Sequence, residues 1–97
     1  MSLRNERVRK TLMKEIADII QRQLKDSRIH GVVSITDIEM SHDNSYAKVY
    51  YSVLAGEADK ASTIQAITDN TPKIRYEVGK RIRLRLTPEL RFIPDDS

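Results

Sequence analysis

The chain has 97 residues, a formal net charge of +3 and no cysteine. This length suits a single domain with a modest core, which we expect to span residues 1–97. The lack of cysteine excludes disulfides, thiolate metal sites and cysteine nucleophiles. No apolar run approaches the roughly 20 residues that span a bilayer, and the first residues are charged rather than signal-like. We therefore expect a cytoplasmic protein that does not bind a membrane.

Residues 4–25 predict one long helix. Their apolar side chains recur at spacings of three and four, which places them on one stripe of a helix. The stripe consists of Val8, Leu12, Ile16, Ile19, Ile20 and Leu24. Residues 26–31 then have the composition of a turn, which is expected to end the helix.

Residues 32–40 and 46–54 predict two strands joined by a polar loop of hairpin length. The second strand alternates regularly between apolar and polar side chains. In the first strand, the apolar residues before Thr36 lie out of phase with those after Asp37. One extra residue resets the period of a strand, so we predict a β-bulge near Thr36 and Asp37.

Residues 56–83 keep a helical period of apolar side chains even though Pro72 lies in their middle. Proline lacks the backbone donor of a helix and disfavours helical angles in the residue before it. We therefore predict two helices that meet at a kink formed by Asn70, Thr71 and Pro72. Asn70 or Thr71 would cap the second helix, with Pro72 in its first turn.

Residues 84–93 predict a final strand, with Leu86, Leu90 and Phe92 on its inner face. Pro88 falls on the same phase, which favours an edge strand or a bulge. Residues 94–97 are predicted to begin a flexible tail. The expected fold class is α+β in the order α-β-β-α-kink-α-β, with helices covering one face of a three-stranded sheet. The last two strands should be parallel, because helices connect them.

Several stretches of the sequence resemble the bacterial ribosome-binding factor A family. They are Lys25–Arg28, Asp43, Ala47–Tyr50, Ser52–Leu54, Arg81–Arg85 and Thr87–Phe92. The last two are the most specific, because a basic segment that runs into Pro-Glu-Leu-x-Phe is close to a signature of the family. The resemblance implies a type II KH-like domain. The family lacks the Gly-x-x-Gly loop of ordinary KH domains, and this chain lacks it too.

The resemblance implies a ribosome biogenesis factor without enzymatic activity. Such a factor binds 16S rRNA on the free small (30S) ribosomal subunit, near the decoding region. It assists late maturation and rRNA processing, and it is needed most in the cold. Two features depart from the family pattern: the family's Ala-x-Gly at the kink is replaced by Asn70-Thr71-Pro72, and its Lys-Asp-Pro-Arg reads Lys25–Arg28 with Ser27 in place of proline.

Charge is segregated along the chain. Residues 1–24 carry six Lys and Arg against three Asp and Glu, and residues 73–91 carry seven against two, whereas residues 30–70 carry two against six. Segregated charge produces a field that attracts polyanions. At helical spacing, Lys73, Tyr76, Lys80 and Arg83 lie opposite the apolar stripe of the second half-helix. The predicted RNA-binding residues are Lys73, Arg75, Tyr76, Lys80, Arg81, Arg83 and Arg85, with Arg75 and Arg81 flanking the stripe and reaching outward.

Other interpretations of these residues remain open. The basic helix face could be an ordinary solvated surface, and Arg85 and Arg91 could serve to protect an edge strand. The basic residues of the first helix turns form a second candidate surface: Arg4, Arg7, Arg9 and Lys10. Tyr50 could contact RNA from the open sheet face, whereas Tyr51 lies on the apolar phase. An alternative function is a basic protein-interaction module without direct RNA contact.

Catalysis is not indicated by the sequence. His30 and His42 are its only histidines. No nucleophile, cluster of metal ligands or phosphate loop accompanies them. We therefore expect no enzymatic activity, no cofactor, no metal and no small-molecule substrate, and we expect a monomer.

Overall fold

A computed structural model of the protein describes residues 3–83 and 86–95, with side chains from Glu6 onward. The predicted α+β fold and its element order are confirmed, and the arrangement is KH-like. The elements are α1 (Leu3–Asp18), β1 (Val32–Met40), β2 (Tyr46–Leu54), α2 (Glu57–Asp69), α3 (Thr71–Arg81) and β3 (Glu89–Pro94). Within the described ranges, no helix is both long and apolar enough to cross a membrane.

The first helix changes its winding before it ends. After Asp18, residues Ile19–Gln23 form a π-helical segment, and the Leu24 N–H donates to the Ile19 carbonyl at 3.1 Å. The prediction of one regular helix to Lys25 is therefore wrong at its C-terminal end. The wider turn keeps Ile19, Ile20 and Leu24 all buried on the core side.

The sheet has the strand order β1-β2-β3. β1 and β2 pair antiparallel, and their register shifts between Ile35 and Asp37, which confirms the predicted bulge. The bulge lets Val33 and Ile38 face the same core, each 2% exposed. β2 and β3 pair in parallel, with Tyr46 opposite Glu89, as the helical connection predicts.

The core lies between the helices and one face of the sheet. Along β2, every second residue from Ala47 to Val53 is buried, and the residues between them are half-buried. α1 contacts β1 and α3, while α2 contacts β2. The largest fully buried side chains include Tyr51, Leu12, Ile16, Ile19, Ile20, Ile38, Ile67, Ile74, Val49 and Val78. The predicted apolar stripes of both helical regions therefore contribute to this core.

α2 and α3 meet on either side of Asn70, whose backbone angles of φ −94° and ψ 6° leave the helical range. This confirms that the helix is interrupted where the sequence predicts a kink. Pro72 lies in the first turn of α3, where a missing N–H removes no helical bond. The Asn70 side chain does not cap α3. Instead its amide donates to the Ala66 carbonyl at 2.7 Å and to Asp26 Oδ2 at 3.0 Å.

β3 is shorter at its start than predicted, because it begins at Glu89 instead of residue 84. Pro88 has no N–H to donate to a neighbouring strand, and the pairing starts where the Glu89 N–H donates to the Ser45 carbonyl at 2.9 Å. Pro88 is buried ahead of the strand, as its phase predicts, but Leu86 is 60% exposed. The expectation that Leu86 faces inward is therefore wrong.

The end of β3 also differs from the prediction. Pro94 is its last residue and pairs with Tyr51, and the Asp95 N–H donates to the Tyr51 carbonyl at 2.6 Å. We predicted that the tail begins at Pro94, but Pro94 belongs to β3 and Asp95 is hydrogen-bonded to β2. Residues 96–97, like Leu84 and Arg85, lie outside the described part of the chain.

Candidate nucleic-acid interface

α3 presents a basic face while its opposite side is fixed in the core. Ile74 and Val78 are fully buried, whereas Lys73, Tyr76 and Lys80 are exposed. The predicted division of this helix into a buried stripe and a solvent face is therefore confirmed. Because buried residues fix the helix, the backbone positions that carry its exposed cations are held in a defined arrangement.

The helix ends before Arg83, contrary to the prediction that it includes this residue. Ile82 adopts extended angles of φ −117° and ψ 121°, and its N–H donates to the Val78 carbonyl at 2.9 Å as the last helical bond. Arg83 is exposed in the loop that follows. It therefore adds an exposed cation two residues beyond the end of the helix. We call the surface of Lys73, Tyr76, Lys80 and Arg83 the α3 face.

The charges of the α3 face are only weakly compensated within the protein. The Lys80 ammonium lies 3.9 Å from a Glu77 carboxylate oxygen, at the limit of an ion pair, and 5.4 Å from the centroid of the Tyr76 ring. Exposed pairs of this kind contribute little to stability. Lys80 can therefore exchange these contacts for a phosphate group.

Arg75, another predicted contact, turns toward the protein. Its Nε donates to the Pro88 carbonyl at 3.1 Å and its Nη2 donates to the Thr87 carbonyl at 2.9 Å. The expectation that Arg75 reaches outward is therefore wrong. Its guanidinium fastens the loop before β3 to α3, and so fixes one side of the basic region.

Arg81 also turns inward, toward α1. Its Nη1 lies 2.7 Å from Asp18 Oδ2 and 3.6 Å from Glu15 Oε2. The hydrogen bond from Arg81 holds the pKa of Asp18 below its usual range. Arg81 thus joins α3 to α1, and its predicted outward orientation is wrong. Arg85 lies outside the described residues, so its predicted role remains a prediction.

A groove runs beside α3 and the loop before β3. It is lined by Pro72, Arg75, Tyr76, Gly79, Lys80 and Thr87. Helix and loop approach each other most closely at Gly79, where an added Cβ atom would lie 2.9 Å from the Thr87 hydroxyl oxygen. Gly79 therefore permits the close approach of helix and loop.

The second candidate surface, at the start of α1, is more heavily compensated. Arg9 forms an ion pair with Glu6 and a second with Asp37, the latter at 2.7 Å. Arg7 and Lys10 are exposed, and the side chain of Arg4 is outside the described part of the structure. The exposed cations at this end of the molecule are therefore fewer than the sequence suggests.

The tyrosines of β2 divide between the two faces of the sheet. Tyr51 is fully buried, as predicted, and packs edge-on against Phe92 with 6.0 Å between the ring centroids. Tyr50 is half-buried on the other face and its hydroxyl donates to Glu39 Oε2 at 3.2 Å. Its hydroxyl is thus engaged with an acidic neighbour, which disfavours a nearby phosphate.

A polar cluster at the helix break has no counterpart in the sequence-based prediction of the site. The Arg28 guanidinium lies 2.7 Å from Asp26 Oδ2 and 2.8 Å from Asp69 Oδ2, and Asp26 also accepts a hydrogen bond from Asn70. Hydrogen bonds from the Arg28 side chain and backbone hold the pKa of Asp26 well below its usual range. Lys25–Arg28 is one of the stretches that resemble the family. Through Asp26 and Arg28 it binds Asn70 and Asp69, and so stabilises the break between α2 and α3.

The two histidines are exposed and far from any arrangement typical of catalysis. The His30 backbone N–H donates to the Thr63 hydroxyl at 2.9 Å, and His42 lies in the hairpin loop. In residues 3–83 and 86–95, no group of three or more His, Asp or Glu side chains could hold a metal ion. The arrangement that stands out chemically is the α3 face.

Comparison with known proteins assigns the family. The family model described as ribosome-binding factor A matches residues 4–97 of the chain. Ribosome-binding factor A of Acetivibrio thermocellus is 43% identical over 94 residues, which cover 97% of this chain and 76% of the relative. Its counterpart in Vibrio campbellii is 47% identical over 95 residues, which cover 97% and 70% of the two chains.

Solved structures show the same fold. The crystal structure of ribosome-binding factor A from Thermus thermophilus superposes with a TM-score of 0.77 at 24% identity and covers 92% of each chain. A homology model of the Thermus thermophilus factor, fitted into a cryo-EM map of its complex with the 30S subunit, gives a TM-score of 0.72 at 25% identity over 88% of each chain. With a family model that spans nearly the whole sequence, this chain belongs to the ribosome-binding factor A family.

Proposed function

We propose that this protein binds 16S rRNA on the free small (30S) ribosomal subunit and assists its late maturation and rRNA processing. Membership of the family supports a role in ribosome biogenesis. The Thermus thermophilus relative was fitted into a map of a 30S complex, which supports the small subunit as the partner. We further propose that the protein acts as a cytoplasmic monomer, and through binding rather than catalysis.

The α3 face is the observation that carries this proposal. Lys73 and Lys80 are seven residues apart, so they lie about 10.5 Å apart along the helix axis and can reach two separate phosphates. Arg83 is exposed two residues beyond the helix and adds a third cation to this region. Because the helix is fixed from behind, the backbone positions of these cations are set before binding, which favours recognition of a phosphate backbone.

The other predicted RNA contacts have a different part in this proposal. Arg75 and Arg81 already have partners within the protein. The partners of Arg75 are neutral carbonyls, so its charge still adds to the positive potential that attracts RNA, whereas the charge of Arg81 is balanced by Asp18. Their main contribution is to hold the loop and α1 in place around the α3 face. Arg85 remains a proposed direct contact.

The proposal is tested by reversing two exposed charges, Lys80→Glu together with Arg83→Glu. Both side chains are exposed, so thermal melting should remain close to that of the unmodified protein. Co-sedimentation with small subunits should be lost. The matched control is Lys14→Glu together with Lys25→Glu, which changes the net charge equally at exposed positions elsewhere. Unchanged co-sedimentation of the first variant would contradict the proposal and direct attention to Arg7 and Lys10.

Salt dependence separates RNA binding from a protein-interaction module. Binding through phosphates weakens steeply as the salt concentration rises, because bound counterions are released from the RNA. Each lost phosphate contact should reduce the slope of log affinity against log salt by about one. A wild-type affinity that is insensitive to salt would instead favour a protein interface without RNA contact.

A further inference from the structure

We propose that an unpaired nucleobase of the bound RNA stacks on Tyr76, in the groove between α3 and the loop before β3. This inference rests on the proposed function and makes it more specific. It identifies the ligand of this part of the surface as single-stranded RNA, or an unpaired nucleotide within a folded RNA, as opposed to a continuous duplex.

Tyr76 is strongly exposed for an aromatic side chain. Its side chain is 66% exposed, although an aromatic ring of this size normally contributes to a protein by being buried. Three other large apolar residues are exposed among those described, namely Val32, Leu54 and Leu86. Tyr76 differs from them because a flat ring can stack on any base. It also lies on the basic face, where a phosphate chain would pass.

The groove around Tyr76 has a shape that can accept a base. Tyr76 lines the groove together with Pro72 and Gly79, which have no long side chain, and with Lys80, whose ammonium lies over the ring. The wall opposite the helix is held in place, because the Thr87 and Pro88 carbonyls accept hydrogen bonds from Arg75. The groove therefore has a fixed boundary on the loop side, and a base can stack on the ring once the exposed Lys80 side chain turns from the ring to a phosphate.

The charges on either side of Tyr76 complement those of a nucleotide. Lys73 precedes Tyr76 by three residues and Lys80 follows it by four, so both lie on the same side of the helix as the ring. The Lys80 ammonium is 5.4 Å from the ring centroid. A nucleotide whose base stacks on Tyr76 would carry a phosphate on each side, within reach of the two lysines. An apolar peptide would gain nothing from these charges, which is why we assign the groove to RNA.

Base pairing decides whether this contact can form. In a continuous A-form duplex the bases stack on one another, and the deep major groove is too narrow for a side chain to enter. A helix such as α3 can then contact phosphates but not the face of a base. An unpaired nucleotide has a free face, so the ring should add affinity only for single-stranded or bulged RNA.

The experiment compares a labelled single-stranded RNA of about 12 nucleotides with the same strand in a duplex, by fluorescence anisotropy. The full chain should bind the single strand more tightly. Tyr76→Ala should weaken single-strand binding by about 5- to 150-fold and leave duplex binding unchanged. Tyr76→Phe, which keeps the ring, should behave like the unmodified protein. Leu54→Ala is the matched control, since it removes an apolar side chain that is 77% exposed on β2.

A second measurement locates the base directly. A single 4-thiouridine in the strand should, after irradiation, cross-link to the peptide that contains Tyr76. Equal single-strand affinity of Tyr76→Ala and the unmodified protein would overturn the inference, as would cross-links confined to other peptides. If Tyr76→Ala lost co-sedimentation with small subunits but kept its affinity for the RNA strand, Tyr76 would be assigned to a protein contact and the inference would fail.

Failure of the proposed function would be recognised separately. If the unmodified protein prefers the single strand through Tyr76 but does not co-sediment with small subunits, the stacking site stands and the assigned partner is wrong. If it co-sediments through Lys80 and Arg83 but shows no dependence on Tyr76, the partner stands and the stacking site is wrong.

Discussion

Replacing Ile74 by alanine tests whether α3 is fixed from behind, as the RNA-binding argument requires. Ile74 is 0% exposed and packs in the core below the α3 face. The substitution removes three carbon atoms, and each buried methylene contributes about 0.8 kcal/mol. The cavity left behind adds a further loss, so the free energy of unfolding should fall by about 3–4 kcal/mol.

The measurement is urea denaturation followed by circular dichroism. The midpoint should fall while the dependence of the free energy on urea stays constant, because the surface exposed on unfolding barely changes. The melting temperature should fall by about 12–32 °C, at roughly 4–8 °C per kcal/mol for a domain of this size. Ile74→Val should lose about 0.5–1.5 kcal/mol, and the exposed-site control Leu54→Ala should stay within about 0.5 kcal/mol.

RNA binding should separate from stability in the same variant. At a temperature where Ile74→Ala is fully folded, its affinity for the RNA strand should stay within about twofold of the unmodified protein, since the side chain does not reach the surface. If Ile74→Ala lowered the free energy of unfolding by less than about 1 kcal/mol, the reasoning would be refuted. It would mean that Ile74 does not anchor α3, and that the helix backbone carrying Lys73 and Lys80 is not fixed from behind.

Two further predictions concern the contacts around α3. Gly79→Ala should change the free energy of unfolding less favourably, by at least about 1 kcal/mol, in the unmodified protein than in the Thr87→Ala variant. The reason is that the added Cβ would lie 2.9 Å from the Thr87 hydroxyl oxygen. A double-mutant cycle of unfolding free energies measures this difference. Since Arg28 lowers the pKa of Asp26 in the folded protein, Asp26 should stabilise the fold above about pH 4 and lose this effect as the pH falls further. Asp26→Asn should therefore be less stable than the unmodified protein at pH 7, and thermal melts should show a smaller difference at pH 3.

The features that could be predicted from the sequence are those set by local pattern. The apolar stripe of α1 and the phase change at Thr36 follow from periodicity, and both have their predicted structural result. The break at Asn70 follows from the chemistry of Pro72. The exposed positions of Lys73 and Lys80 follow from the buried stripe on the opposite side of α3.

The features that could not be predicted depend on partners distant in sequence. Arg81 flanks the apolar stripe of α3, and only the packing of α1 brings Asp18, 63 residues away, to its guanidinium. Arg75 bonds to loop carbonyls that sequence alternation had placed in a strand. The apolar–polar alternation of a strand continues back through the loop to Leu86, but pairing with β2 begins only at Glu89.

The parallel pairing of β2 with β3 has a consequence for how the molecule assembles. β1 and β2 can pair early, because a short turn joins them, whereas Glu89 reaches Tyr46 only after α2 and α3 have crossed the sheet. Pairing across so many residues is entropically expensive, so it should be the late step in folding and the first to reverse. The loop before β3, which Arg75 fastens to α3, would then acquire its shape last. The groove beside Tyr76 is therefore completed only when β3 docks, and hydrogen exchange should be faster in β3 than in the hairpin.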